Sequence, residues 1–393
     1  MTSGQTSHPR GGTPRGPDGD NVSLCFTGDL MLDHPLLRTG ANATGQATLQ
    51  AYALLQQADL SVINLEVALT DVGTPASKMV TMRADPSIAE ELSRIGCHVA
   101  TVANNHALDY GPDGLLRTLE ALAEARIVAA GGGRDLDAAM APAIVRARGT
   151  RVAILSFATT LPHGFAARPG VPGIAPIRIR TSYLYDSETL DEVPGMSPYV
   201  QTEANPDDVE RACDAIRSAR GRAELVIVAM HWGIPNGWIA GHQGPLAGYQ
   251  RPLGRALIDG GADAIVGHNA HMLHGIELYR GRPILYSIGD FVFHTHAEGR
   301  RIAFRKLFPP YNPAPLHAPV TKLSCAVRML AGAAGVDRVE IVPVVLNALG
   351  EPEVTAGERA EAVLGFLEEQ STPLGARLRR EGARGVLVEA AAC

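Results

Sequence analysis

Short apolar runs along this chain alternate with stretches whose leucines, isoleucines and alanines recur at helical spacing, a pattern of strands interleaved with amphipathic helices. Order begins with the run NVSLCFTGD at Asn21, and further strands are expected over 59–66, 97–105, 151–158, 223–233, 262–268, 282–291 and 337–346. Helices are expected over 86–96, 111–125, 205–220, 249–261 and near 356–370. Pro112 falls at the start of one of them, where a missing backbone N–H is harmless. Apolar strands bounded by helices imply an α/β protein with helices packed over its sheets. Two irregular inserts interrupt the alternation: 158–204, which reads as a loop over a site, and 294–320, centred on FPPYNPAPLHAP. The first twenty residues are rich in Gly, Pro, Ser and Thr and lack an apolar core, so they read as a disordered leader rather than a signal peptide. The expected organisation is a leader over 1–20, a domain over 21–350 carrying both inserts, and a helical extension over 351–393.

Composition narrows the partners. With 393 residues, 46% of them hydrophobic, the chain can bury a sizeable core. A net charge of −6 supplies no global basic field, which argues against nucleic acid and anionic membranes but leaves local basic pockets for a small anionic substrate. No apolar run is long enough to span a bilayer. Five scattered cysteines lack CxxC spacing; three sit in apolar runs and read as buried hydrophobes, and a reducing compartment is expected. A soluble, cytoplasmic protein is expected, with a homo-oligomer left open.

The placement of polar residues carries the chemistry. Asp29 closes the first run and Asn64 and Glu66 close the second; Asn104, Asn105 and His106 follow the third, and His231 ends a later one. His268 and His271 follow the strand at 262–267, with His274 three residues on. In α/β folds the carboxyl ends of strands converge on one edge, where sites are built. Singly, each has a plainer reading: Asp29 as a turn or helix-capping residue, Glu66 as a surface charge, His231 as a core histidine. Together they form an oxygen–imidazole set suited to Mn²⁺, Fe²⁺, Zn²⁺ or a mixed pair. Two such cations about 3.5–4 Å apart can bind a phosphate and activate a hydroxide for in-line attack.

In order along the chain, the motifs FTGDLML, NLEVALT, ANNHALDYG, MHWG and GADAIVGHNAHMLHGIELYRGRPILYSIGDFVF resemble those of the CapA family of bacterial capsule (poly-γ-glutamate) synthesis proteins. That family lies within the calcineurin-like metallophosphoesterases, and the resemblance covers about residues 22–294. It implies a four-layer α/β/β/α sandwich with two divalent metal ions at the strand ends. By motif, Asp29 would bind one metal and Glu66 would take the bridging-carboxylate position, with Asn105, His231, His268 and His271 as further ligands. His106 would protonate the leaving group or steady the transition state. Asp109, one helical turn on, would orient its imidazole, with a helix-capping or surface role as the alternative.

The chain departs from the wider superfamily at Met31, where a histidine ligand is usual, at Glu66, where an aspartate is usual, and in a closing Gly-His-x-x-His. Within the family branch Asp290 stands for an expected asparagine and His274 for a glutamine. Arg83 in TMRADP matches a recurrent family arginine suited to an anionic group, a structural ion pair being the alternative, and Arg178 is a second candidate of the same kind. Asn64, Asn104, His274 and Asp290 complete the expected substrate-facing set. His294 and His296 read as exposed loop histidines.

The leading expectation is a soluble metal-dependent phosphoesterase acting on a small anionic metabolite in a biosynthetic pathway, through a metal-activated hydroxide with His106 as acid. One alternative keeps the metals but cleaves or forms an amide in a γ-glutamyl or peptide substrate. Another is a non-catalytic assembly or binding protein for a capsule polymer. Surface members of the family usually begin with a membrane anchor; its absence here favours the soluble enzyme.

Overall fold

The computed structural model describes residues 21–40, 43–233, 245–296 and 318–389. The expected leader, most of the 294–320 insert and Cys393 lie outside the described residues.

Two sheets face each other. The larger has ten strands, running Ala376–Glu381, Arg384–Glu389, Gly335–Leu346, Leu323–Gly332, Val22–Met31, Leu60–Leu65, Val99–Thr101 and Val128–Ala130, with Asp290–Phe293 added to Val22–Met31 and Pro352–Val354 to Gly335–Leu346. The smaller has six, in the order Leu273–Tyr279, Arg282–Ile288, Ala264–His268, Leu225–His231, Thr150–Ala158 and Ala143–Ala147.

Strand periodicity explains why the sheets stack. Along Val22–Met31, Leu24 and Phe26 enter the core between the sheets, while Cys25 packs with the helices on the other side. Ile154 and Ile227 join that inner core from the six-stranded sheet, and their neighbours Leu155 and Val228 face outward. Successive strand residues point to opposite faces, so a strand apolar at every position needs cover on both. Helices Gln46–Gln56, Ile88–Arg94 and Gly111–Glu124 cover the large sheet through Leu55, Leu92 and Leu122. Helices Pro206–Arg220 and Gln250–Asp259 cover the small one through Ile216 and Leu257. The architecture is the α/β/β/α sandwich. No helix among the described residues is long and apolar enough to cross a membrane. The four described cysteines are buried and free.

Most expected strands and helices are present, but the expected strand 282–291 divides into Arg282–Ile288 and Asp290–Phe293, one in each sheet, and helix Gln46–Gln56 and strands Ala143–Ala147, Leu273–Tyr279 and Leu323–Gly332 were not expected. Two further segments are corrected. The tail is not a helical extension: after helix Gly357–Ser371, strands Ala376–Glu381 and Arg384–Glu389 form a hairpin that joins the ten-stranded sheet. Val363, Leu364 and Leu378 of the tail lie in the inter-sheet core. The arginines and glutamates of ARLRRE and RGVLVE line a sheet edge and obscure the alternation. The 158–204 insert likewise holds a hairpin, Ile179–Leu184 with Tyr199–Ala204, and a short helix, Ser187–Glu192.

One close backbone approach fixes where the site forms. Gly28 lies against Gly289: a Cβ at Gly28 would sit 2.1 Å from the Gly289 carbonyl oxygen. Asp29 N donates to that same oxygen at 3.0 Å. Gly28→Ala is therefore expected to force the two segments apart and to destabilise the fold by about 1–3 kcal/mol, read as a lower thermal unfolding midpoint. An unchanged midpoint would contradict this packing.

Candidate metal and active site

Parallel pairing aligns the reactive residues. Asp29 is in register with Asn64 on one neighbouring strand and with Asp290 on the other. Across the sandwich, His231 is in register with His268. The carboxyl ends of both sheets thus meet, and His268 Nε2 spans the gap to the Thr27 carbonyl oxygen at 3.2 Å.

Two groups of ligand-type atoms form there. In one, atoms of Asp29, His271 and Asp290 lie within 4.8 Å of each other; in the other, atoms of Asp29, Glu66 and His231 do. All five residues are buried. In the first, His271 Nδ1 is 2.9 Å from Asp290 Oδ1 and 3.7 Å from Asp29 Oδ2. In the second, His231 Nε2 is 3.5 Å from Glu66 Oε1 and 2.7 Å from Asn105 Oδ1, which brings Asn105 into the set. Ligands on a common cation with bonds of about 2.0–2.1 Å are themselves roughly 3 Å apart, so both groups have the spacing of a coordination shell.

The electrostatics also fit cations. Neither Glu66 oxygen has a hydrogen-bond partner among the described residues, although the residue is fully buried. Burial first, and then the charge of Asp29, push its carboxyl well above the usual range. Burial pulls His271 down, but Asp290 and Glu66 outweigh it and raise it to about 10. Three buried carboxylates this close repel one another. Divalent cations there would offset the three negative charges, and one in the second group would occupy the open lone pairs of Glu66.

Several expectations shift. Asp29, not Glu66, is the carboxylate common to both groups, because its strand lies between those bearing Asn64 and Asp290. Asp290, expected to face substrate, lies among the ligand-type atoms. His268, expected as a ligand, belongs to neither group. Asn64 and Asn104 were expected to face substrate but are buried behind the site. Asn64 donates to Asp29 Oδ1 at 2.6 Å and accepts from Thr101, while Asn104 donates to the Leu65 carbonyl and accepts from His106 N. Both position other groups.

His274 is a buried strand residue paired in register with Ser287 and lies outside both ligand groups. Arg83 is exposed, its guanidinium over the Tyr110 ring at 4.9 Å. His294 is fully buried, not an exposed loop residue, and stacks on His34 at 3.5 Å.

His106 and Asp109 form a dyad beside the second group. His106 Nδ1 donates to Asp109 Oδ2 at 2.6 Å. The carboxylate only accepts, so the dyad leaves Nε2 as the ring's working atom. Sequence reasoning missed Lys78, whose loop SKMVTMR has no periodicity to read. Its Nζ donates to Asp109 Oδ1 at 2.7 Å and to the Asn105 carbonyl, and Met82 N donates to Asp109 Oδ2. Burial, followed by the Lys78 charge, lowers the His106 pKa.

Sequence reasoning also missed Asn269. Its backbone N–H donates to Asp29 Oδ2 at 2.9 Å, and its amide donates to the Trp232 and Gly233 carbonyls. Asn269 and His271 both adopt positive φ, 89° and 52°. Strained backbone of this kind persists where surrounding contacts over-determine it, here in the loop that delivers His271.

Comparison with known proteins adds the family. A model of the family described as bacterial capsule synthesis protein PGA_cap matches residues 23–295. An uncharacterized protein of Sinorhizobium fredii is 29% identical over 319 residues, 70% of this chain and 66% of its own. A protein of Mycobacterium tuberculosis named as a polyglutamine synthesis accessory protein is 34% identical over 263 residues, 65% of this chain and 62% of its own. The PGA biosynthesis protein CapA of Bacillus subtilis is 28% identical over 278 residues, covering 70% and 64%. The chain therefore spans slightly under two thirds of these relatives' own lengths.

Proposed function

We propose, from the premise that this chain belongs to the bacterial capsule synthesis protein PGA_cap family, that it is a metal-dependent hydrolase of phosphate esters acting on a small anionic substrate. The observation that carries this reading is the pair of ligand groups sharing Asp29 beside the His106–Asp109 dyad.

Asp29, Asp290 and His271 would hold one divalent cation, and Asp29, Glu66, His231 and Asn105 the other, with Mn²⁺, Fe²⁺ and Zn²⁺ all suited to these ligands. Bound there, such cations supply Lewis-acid activation of water and of a phosphoryl oxygen. The protein's own groups do the rest. Asp109 holds the His106 ring by Nδ1 and stabilises its protonated form, so that Nε2 can deliver a proton to the leaving oxygen. Lys78 fixes the Asp109 carboxylate from its other side. Asn64 and Asn269 hold Asp29 at the junction of the two groups.

Lys78→Met is expected to lower kcat roughly tenfold, the scale of one lost charged hydrogen bond, with metal content unchanged. Steady-state kinetics beside elemental analysis checks this, and unaltered kcat would remove Lys78 from the dyad's support.

A second reading, amide cleavage in a glutamyl substrate at the same site, draws on the relatives' names, which refer to polyglutamine and PGA synthesis. The deciding experiment incubates Mn²⁺-loaded protein with a panel of phosphorylated metabolites and, separately, with γ-glutamyl amides. Phosphate release that stops on chelation supports the first reading; amide cleavage without phosphate release replaces it with the second.

A further inference from the structure

We infer that Arg178 anchors a second anionic group of the substrate, so that the ester cleaved beside Asn105 carries a carboxylate or phosphate on its leaving side. This rests on the phosphoesterase reading above. A cavity of about 480 Å³ is lined by both Asn105 and Arg178, a volume suited to a small metabolite. Asn105 belongs to the reacting end, since its Oδ1 is 2.7 Å from His231 Nε2. Leu161 and Ile179 give the cavity an apolar lining, and Thr160 brings a hydroxyl that is buried without a hydrogen-bond partner among the described residues. The cavity therefore brings together a residue of the reacting end, a guanidinium and apolar side chains.

Arg178 is held ready for such a group. Its Nε and Nη2 donate to the two oxygens of Asp208, both at 2.6 Å, and its backbone N donates to the same carboxylate at 2.9 Å. A guanidinium has five N–H donors in one plane. Asp208 takes the Nε–Nη2 edge and leaves the Nη1–Nη2 edge, which matches a carboxylate or phosphate in bidentate fashion. Asp208 also accepts from Arg211 Nη1 at 2.7 Å. Asp208 therefore pairs with two guanidinium groups, and the charge of Asp207 also acts on Arg178. The Arg178 side chain retains 60% of its exposure, so a ligand can reach it.

The test compares phenyl phosphate with 4-carboxyphenyl phosphate, which differ only in the distal carboxylate, using the metal-loaded full chain. Wild-type protein is expected to favour the carboxylated ester by roughly tenfold in kcat/KM, the scale of one charged hydrogen bond. In Arg178→Gln that preference should fall to about unity, chiefly through KM. A purely structural Arg178 would slow both esters alike and leave the preference intact, which overturns the inference. If wild-type protein hydrolyses neither ester, the phosphoesterase reading fails, and calorimetric binding of 4-carboxyphenyl phosphate then decides on the anchor. Binding weakened roughly tenfold in Arg178→Gln upholds it, and equal binding overturns it.

Discussion

Asp29→Asn is expected to weaken metal binding in both ligand groups at once and to abolish hydrolysis, whereas Glu66→Gln should empty only one. The asymmetry follows from geometry. Asp29 contributes to the group with His271 and Asp290 and also to the group with Glu66 and His231. Groups that merely support ligands typically cost 10–100-fold in metal affinity when mutated, so loss of a charge shared by two cations should exceed roughly 100-fold at each. The Asn replacement keeps the shape and an oxygen to accept from Asn64, but gives up the acceptor of the Asn269 N–H. It also removes one of three crowded buried carboxylates. Relief of that repulsion offsets the lost Asn269 contact, so metal-free Asp29→Asn should unfold close to metal-free wild type. Elemental analysis and thermal unfolding of both variants check this, and a Glu66→Gln protein that loses both metals would return the shared role to Glu66.

His106→Gln carries the second large effect. Proton transfer by a positioned side chain contributes about 10²–10⁴-fold, and a loss of that order in kcat is expected with metal content unchanged. The metal should stay because His106 belongs to neither ligand group. Its ring is held by Asp109 Oδ2, on the far side from Nε2. Loss of metal together with activity would make His106 a ligand rather than a proton donor.

Much of this site is legible in the sequence because parallel strands convert a linear pattern into a spatial one. Asp29, Glu66, Asn105, His231 and His271 each follow an apolar strand, and the strands' shared direction brings them to one edge. The spacing of His106 and Asp109 likewise reads directly as a contact. What the sequence does not show is which neighbour each side chain meets once the sheets face each other. His268 and His271 look equivalent in GHNAHMLHG, yet one reaches the Thr27 carbonyl and the other Asp290. Their separation depends on the left-handed turn at Asn269 and His271, which no periodicity announces. Lys78 is hidden for a related reason: it reaches Asp109 from an irregular loop. The tail hairpin is hidden by its charge, since an exposed sheet edge tolerates arginine and glutamate at alternate positions.

The most direct test of the account is the metal content of the protein after loading with Mn²⁺ and dialysis, compared with that of Asp29→Asn. About two ions per chain in the wild type, as expected of a paired-metal site, and close to none in the variant would match two groups joined through one carboxylate. Wild-type protein that retains no metal, or an Asp29→Asn protein that retains as much as wild type, would contradict it.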